Sequence, residues 1–248
     1  MKMPNAKCQM PNRIKSYNGF TLIELSIVIV IIGLIVAGVV GGQVLIEQSK
    51  ARKVITDVEN IKTATRAFIL EYNAIPGDMQ NSAAYWSGVA GGNGDGILTS
   101  GAESNRFWVH LSRAGIYPGT FSGVSTNPPT IGVDHPAGAF PGTWYRPHRH
   151  SAADTAFGRL KTSLNFNGSN HSWGGAVSGK VANSIDIKID DGSAFYGILS
   201  TSRAYNVPGP DTCTFGNLGY RTTTPIEYNP SDERTNCWMF FWLEDVVF

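Results

Sequence analysis

The sequence predicts an α+β protein, in which one very long amino-terminal helix precedes a strand-bearing head. Three observations predict it. From Leu25 to Ile46 run 22 residues without a charge. From Ala51 to Tyr72 apolar side chains recur every three or four positions, the period of a helix. Beyond Asn73 the apolar residues gather in short runs of strand length, separated by stretches rich in Gly and Pro.

Taken in order, residues 1–19 carry Lys2, Lys7, Arg13 and Lys15 and no acidic residue, and read as a basic leader that stays in the cytoplasm. The apolar run then begins. As a helix rising ~1.5 Å per residue, its 22 residues reach ~33 Å, enough to cross a hydrocarbon layer of roughly 30 Å. Glu24 stands at the mouth of this span, where a carboxylate is costly unless it is paired, hydrated or functionally placed. An ordinary secretory signal has an apolar core of about 7 to 15 residues followed by a small-residue cleavage site. Ala37-Gly38 or Gly41-Gly42 offers such a site, but the run here is longer and continues as a periodic helix.

The segment Gly19-Phe20-Thr21-Leu22-Ile23-Glu24-Leu25 followed by the apolar run resembles the signal of type IV pilins and of the pilin-like subunits of type II secretion systems. The resemblance implies cleavage between Gly19 and Phe20 by prepilin peptidase, methylation of the new amino terminus at Phe20 by the same enzyme, and a role for Glu24 in assembly. There the Glu24 carboxylate of one subunit neutralises the Phe20 α-amine of its neighbour. An unpaired buried charge is heavily penalised and a paired one much less so, so the contact would select axial register. The partners implied are the prepilin peptidase/methyltransferase, other pilin-like subunits and an inner-membrane assembly platform. The location implied is a single pass through the bacterial inner membrane with the head in the periplasm, and then a pilus or pseudopilus. The fold implied is that of a type IV pilin, with an antiparallel sheet packed on the second half of the helix.

Past the span, Ala51, Val54, Val58, Ile61, Thr65, Phe68 and Tyr72 form the stripe expected to face the protein's own core. No Pro or Gly interrupts Gln43 to Asn73, and Ile75-Pro76-Gly77 supplies the stop. The helix therefore spans residues 20–73, with its transmembrane segment at about 25–46, and residues 74–248 form an extracytoplasmic head. Removing the four leader charges from 20 Lys plus Arg leaves 16 against 19 Asp plus Glu, a balance of −3 that offers nucleic acid no general attraction.

Within the head, Arg106 to Ala114 reads as a short helix with Phe107, Trp108 and Leu111 inward. Gly115 to Pro147, dense in Pro and Gly, reads as irregular. Ser184 to Asp190 alternates apolar and polar, Asp191-Gly192 signals a turn, and Ala194 to Ser200 would return as the second strand of a hairpin. Cys237 to Leu243 is an apolar, aromatic strand expected to pack on the long helix.

Cys8 lies in the leader, leaving Cys213 and Cys237 as an even pair. Oxidised, they would close a loop and stabilise by roughly 3 to 4 kcal/mol; type IV pilins often carry a comparable carboxyl-terminal disulfide. The alternative is two separately buried thiols.

Three sets of residues invite a metal reading. In Gly91 to Leu98, Asn93 and Asp95 stand where a calcium loop places ligands, with Gly96 at its turn, but Gly91 takes the first ligand's place and Glu103 falls one residue late; otherwise this is a Gly-rich turn. His148-Arg149-His150, with His135 and His171, lacks a close Cys or Glu and reads as a solvated basic loop from Arg146. Asp186, Asp190 and Asp191 read as the wet face of the hairpin.

No cofactor other than calcium is suggested. A Gly-x-Ser-x-Gly elbow, a phosphate-binding Gly-Lys-Ser/Thr loop and a His-Glu-x-x-His helix are all missing from the sequence, so no catalytic residue is assigned. Two non-enzymatic roles compete. One is a structural subunit assembled into a type IV pilus, with adhesion among its uses, or into a type II secretion pseudopilus. The other is a monomeric membrane-anchored binding protein whose aromatic head recognises a glycan or a protein.

Overall fold

The computed structural model describes residues 19–99, 101–124, 126, 128–150, 162–168, 174–203, 213–214, 227–231, 234–235 and 237–243. The elements are α1 (Leu22–Tyr72), α2 (Ser82–Tyr85), α3 (Ala102–Arg113), β1 (Thr143–Arg149), β2 (Thr162–Gly168), α4 (Gly179–Ile189), β3 (Leu199–Arg203) and β4 (Cys237–Trp242). The strands form one antiparallel sheet in the order β1-β2-β4-β3. The architecture is α+β, a long apolar helix followed by a head in which helix packs on sheet. Two compact units divide the chain, one ending at Leu45 and one beginning at Ile46.

In the first unit the large apolar side chains from Leu22 to Leu45 are all exposed. In the second unit the stripe read from the sequence is the core seam. Ala51, Val54, Val58, Ile61 and Phe68 are buried, Tyr72 packs half-buried at the edge, and the Thr65 hydroxyl donates to the Ile61 carbonyl at 2.7 Å. The helix ends at Asn73, whose φ of 48° is left-handed and whose N–H donates to the Ile69 carbonyl at 2.8 Å. Asn tolerates that conformation better than most residues with a Cβ, so the stop precedes Pro76.

The sheet is buried on both faces, and the faces differ. Tyr145, Leu164, Phe166, Leu199, Met239 and Phe241 join the α1 seam in one apolar cluster. Alternation then turns Trp238, Phe240 and Trp242 to the other face, where Asn165 stands opposite Phe240 and Ser163 opposite Trp242. Every residue of β2 is buried. β4 pairs on both sides, as an apolar, aromatic run suits. In α3, Phe107, Trp108 and Leu111 are all fully buried.

Three expectations are corrected. The hairpin from Ser184 is α4, and only Leu199 and Ser200 of its proposed return strand lie in β3. Val181, Ala182, Ile185 and Ile189 satisfy the helical period while Ile185, Ile187 and Ile189 satisfy the strand period, and burial decides between them: Ile187 is 63% exposed. The Ser178 side chain caps the helix, accepting from the Val181 N–H at 3.5 Å. Gly179 opens it because a Cβ there would stand 2.4 Å from the Asn229 carbonyl oxygen.

The second correction concerns the stretch from Gly115 to Pro147, whose last residues, Thr143 to Pro147, belong to β1. The third follows from it. Arg146 to Arg149 are strand rather than solvated loop, and His148 and His150 are buried with ring centroids 4.8 Å apart. His171 lies outside the described residues.

Candidate functional site

The amino-terminal segment is built by helix-capping chemistry. The first N–H groups of a helix have no partner within it, and a Thr followed three residues later by Glu satisfies them reciprocally. The Glu24 carboxylate accepts from the Thr21 N–H at 2.8 Å and from the Thr21 hydroxyl at 2.7 Å, while the Glu24 N–H donates to Thr21 Oγ1 at 3.3 Å. The signal Thr-x-x-Glu was available in the sequence, within the very segment that carries the resemblance.

Around this box the chain is open. Among the described residues nothing lies within 4 Å of where a Cβ on Gly19 would stand, and Phe20 is 87% exposed. A protease and a methyltransferase need such access to backbone. Among the described residues α1 is the one helix long and apolar enough to cross a membrane, and its most apolar stretch has a mean hydropathy of 2.9. Residues 14–40 match the family model of the prokaryotic N-terminal methylation motif. The chain therefore carries the type IV pilin and pseudopilin signature, which is that of a processed, pilin-like structural subunit rather than of an enzyme family. No curated protein and no solved structure matches the chain. The motif implies processing by prepilin peptidase and assembly with pilin subunits in general, and with one apolar helix it fits a membrane-anchored, single-pass protein.

The head places its other sequence-singled residues separately. Cys213 and Cys237 are joined, with Cα atoms 5.0 Å apart, tying the segment around Cys213 to the first residue of β4. Asn93 and Asp95 are both exposed, and the Asn93 amide donates to Asp95 Oδ2 at 2.8 Å. Their loop is organised from below by two buried carboxylates. Asp78 accepts from the N–H groups of Gly94 at 2.7 Å and Gly96 at 2.9 Å, and Glu103 from those of Asn93 at 3.2 Å and Thr99 at 2.8 Å. Gly92 is required there, since a Cβ would stand 2.4 Å from Asp78 Cα.

Asp186, Asp190 and Asp191 do come together, their carboxylate oxygens within 4.8 Å of one another, but at the end of α4 rather than on a wet strand face. Each carboxylate accepts a backbone N–H: Asp186 from Gly192 at 3.2 Å, Asp190 from Leu199 at 2.8 Å and Asp191 from Ser193 at 2.8 Å. Asp186 is fully buried and also accepts from the Tyr228 hydroxyl at 2.6 Å. Burial pushes its carboxyl up to about 7, with Asp190 and Asp191 adding to the rise against the two hydrogen bonds. The sequence grouped the three carboxylates but hid the burial of Asp186, because Tyr228 is remote in sequence and the strand reading placed Asp186 in water.

Two buried histidines are likewise structural. His110 Nδ1 accepts from the Gly77 N–H at 2.8 Å, which leaves Nε2 to donate to the Ala90 carbonyl at 3.1 Å. Burial lowers its pKa, so the neutral ring ties α3 to the loops on either side of α2. His135 stacks on Trp144 at 4.5 Å, and burial pushes it down to about 3, helped by Arg146.

Proposed function

We propose that this chain is a precursor cut between Gly19 and Phe20, methylated at Phe20, and assembled through α1 into a type IV pilus or a type II secretion pseudopilus. The observation that carries the reading is the coincidence of the methylation motif over residues 14–40 with a helix that runs without a break from Leu22 to Tyr72. The uncharged stretch of that helix, Leu25 to Ile46, is covered by lipid before assembly and by neighbouring helices after it. The head lies in the periplasm until the subunit leaves the inner membrane. Glu24 meets the Phe20 α-amine of an adjacent subunit, exchanging its contacts with Thr21 for a charge pair in low dielectric.

Intact-mass and amino-terminal peptide analysis of the membrane and sheared-surface fractions tests the processing step. A chain beginning with N-methylated Phe20 is the expected result. An uncut chain, or a cut beyond Ala37, would overturn it.

A further inference from the structure

In the head, α1 and the turn after α3 enclose an open cleft of about 490 Å³, lined on the helix side by Lys53, Asp57, Asn60 and Thr63 and on the turn side by Tyr117 and Pro118. Pockets for small organic ligands span about 300–1,000 Å³.

The two walls differ in chemistry. The turn wall is apolar and firmly backed, since the Tyr117 ring rests against Trp108 at 5.5 Å and Phe121 at 6.2 Å. On the helix wall the Asp57 carboxylate is held by Lys53 Nζ at 2.8 Å and by the Tyr145 hydroxyl at 3.4 Å. That ion pair neutralises itself, so the cleft presents no net charge to an incoming group. Asn60 and Thr63 are exposed and offer both donors and acceptors. Exposed Ala67 leaves the floor shallow. Burial and the nearby Asp57 push the Tyr117 phenol up to about 12, so it remains a proton donor at any physiological pH.

We infer that this cleft binds a neutral saccharide, one sugar ring laying its C–H face on Tyr117 while its hydroxyls meet Asp57, Asn60 and Thr63. The ligand class follows from the chemistry. An aromatic ring facing a row of mixed donors and acceptors with cancelled charge suits a flat, uncharged, polyhydroxylated molecule. An ionic ligand finds its counter-charge already paired, and an apolar segment would strip water from Asn60 and Thr63 without replacing it. The inference does not rest on filament assembly.

The test uses the full chain in detergent micelles, with glucose, galactose, mannose and N-acetylglucosamine disaccharides as probes, read by saturation-transfer NMR and titration. At least one disaccharide is expected to bind. Asn60→Ala is expected to weaken it by about tenfold or more, the loss of one well-placed hydrogen-bonding group. Ala67→Trp, which fills the cleft from an exposed position, is expected to abolish binding with the melting temperature unchanged. No binding up to about 10 mM, the weak end of meaningful affinity, overturns the inference. So does binding that survives both substitutions.

Discussion

The Thr21 hydroxyl donates to the Glu24 carboxylate at 2.7 Å, and the Glu24 N–H returns a bond to the same oxygen. The charge that would guide assembly is thus already part of the helix's own start. Glu24, near the end of an apolar span, has its hydrogen bonds satisfied within a single chain.

Thr21→Ala removes one half of this box and is expected to cost about 1 kcal/mol of stability at the helix start, while Thr21→Ser retains it. Amide exchange in micelles checks this at Leu25, whose N–H donates to the Thr21 carbonyl at 3.3 Å. Equal protection of Leu25 in wild type and Thr21→Ala would remove the box as a stabilising element.

Glu24→Val removes the carboxylate half of the box but leaves Gly19 and Phe20 untouched, and improves the match to lipid. Cleavage is expected to proceed and filament formation to fail. Counting filaments by electron microscopy beside an immunoblot of processed subunit separates the two steps. Normal filaments from this variant would sink the charge-pairing mechanism.

Asp186 makes the head's stability depend on pH with a sign unusual for a carboxylate. Its ordinary value is 3.8 and the fold raises it to about 7, so between those values the folded head binds a proton that the unfolded chain has lost. Stability contributed by this group is therefore complete below pH 4 and declines as pH rises through about 7. Urea midpoints at pH 5 and pH 8 are expected to differ more in the wild type than in Asp186→Asn. Identical differences in both proteins would show that Asp186 does not hold the proton.

Reduction of Cys213–Cys237 is expected to lower stability by about 2–4 kcal/mol, because the bond restricts the unfolded chain. The effect reaches the sheet through Cys237, whose N–H donates to the Val177 carbonyl at 2.9 Å just before α4. Chemical unfolding with and without reductant measures it. A midpoint indifferent to reductant would mean the bond constrains nothing that unfolds.

Local chemistry made the long helix legible. An uncharged run, a stripe of period 3.6 and a stop near Asn73 are properties of neighbours in sequence, and so is the Gly19 to Leu25 segment with its Thr-x-x-Glu box. The strand at Cys237 and the helix around Phe107, Trp108 and Leu111 were legible for the same reason, since each is apolar on its own account.

Tertiary structure alone decided the rest. Ile185 and Ile189 fit both periods and Ile187 only that of a strand, and burial in the folded head, which leaves Ile187 exposed, selects the helix. With that choice Asp186 moves from solvent to the interior, where Tyr228, 42 residues away in sequence, supplies its hydrogen bond and burial raises its pKa. His148 likewise passes from loop to strand only once β1 finds β2, and His150, one residue beyond the strand, is buried with it. Each short segment carries its own preference in water, whereas burial and remote partners, which raise the pKa of Asp186 and build the walls of the cleft at Tyr117, exist only after the segments meet.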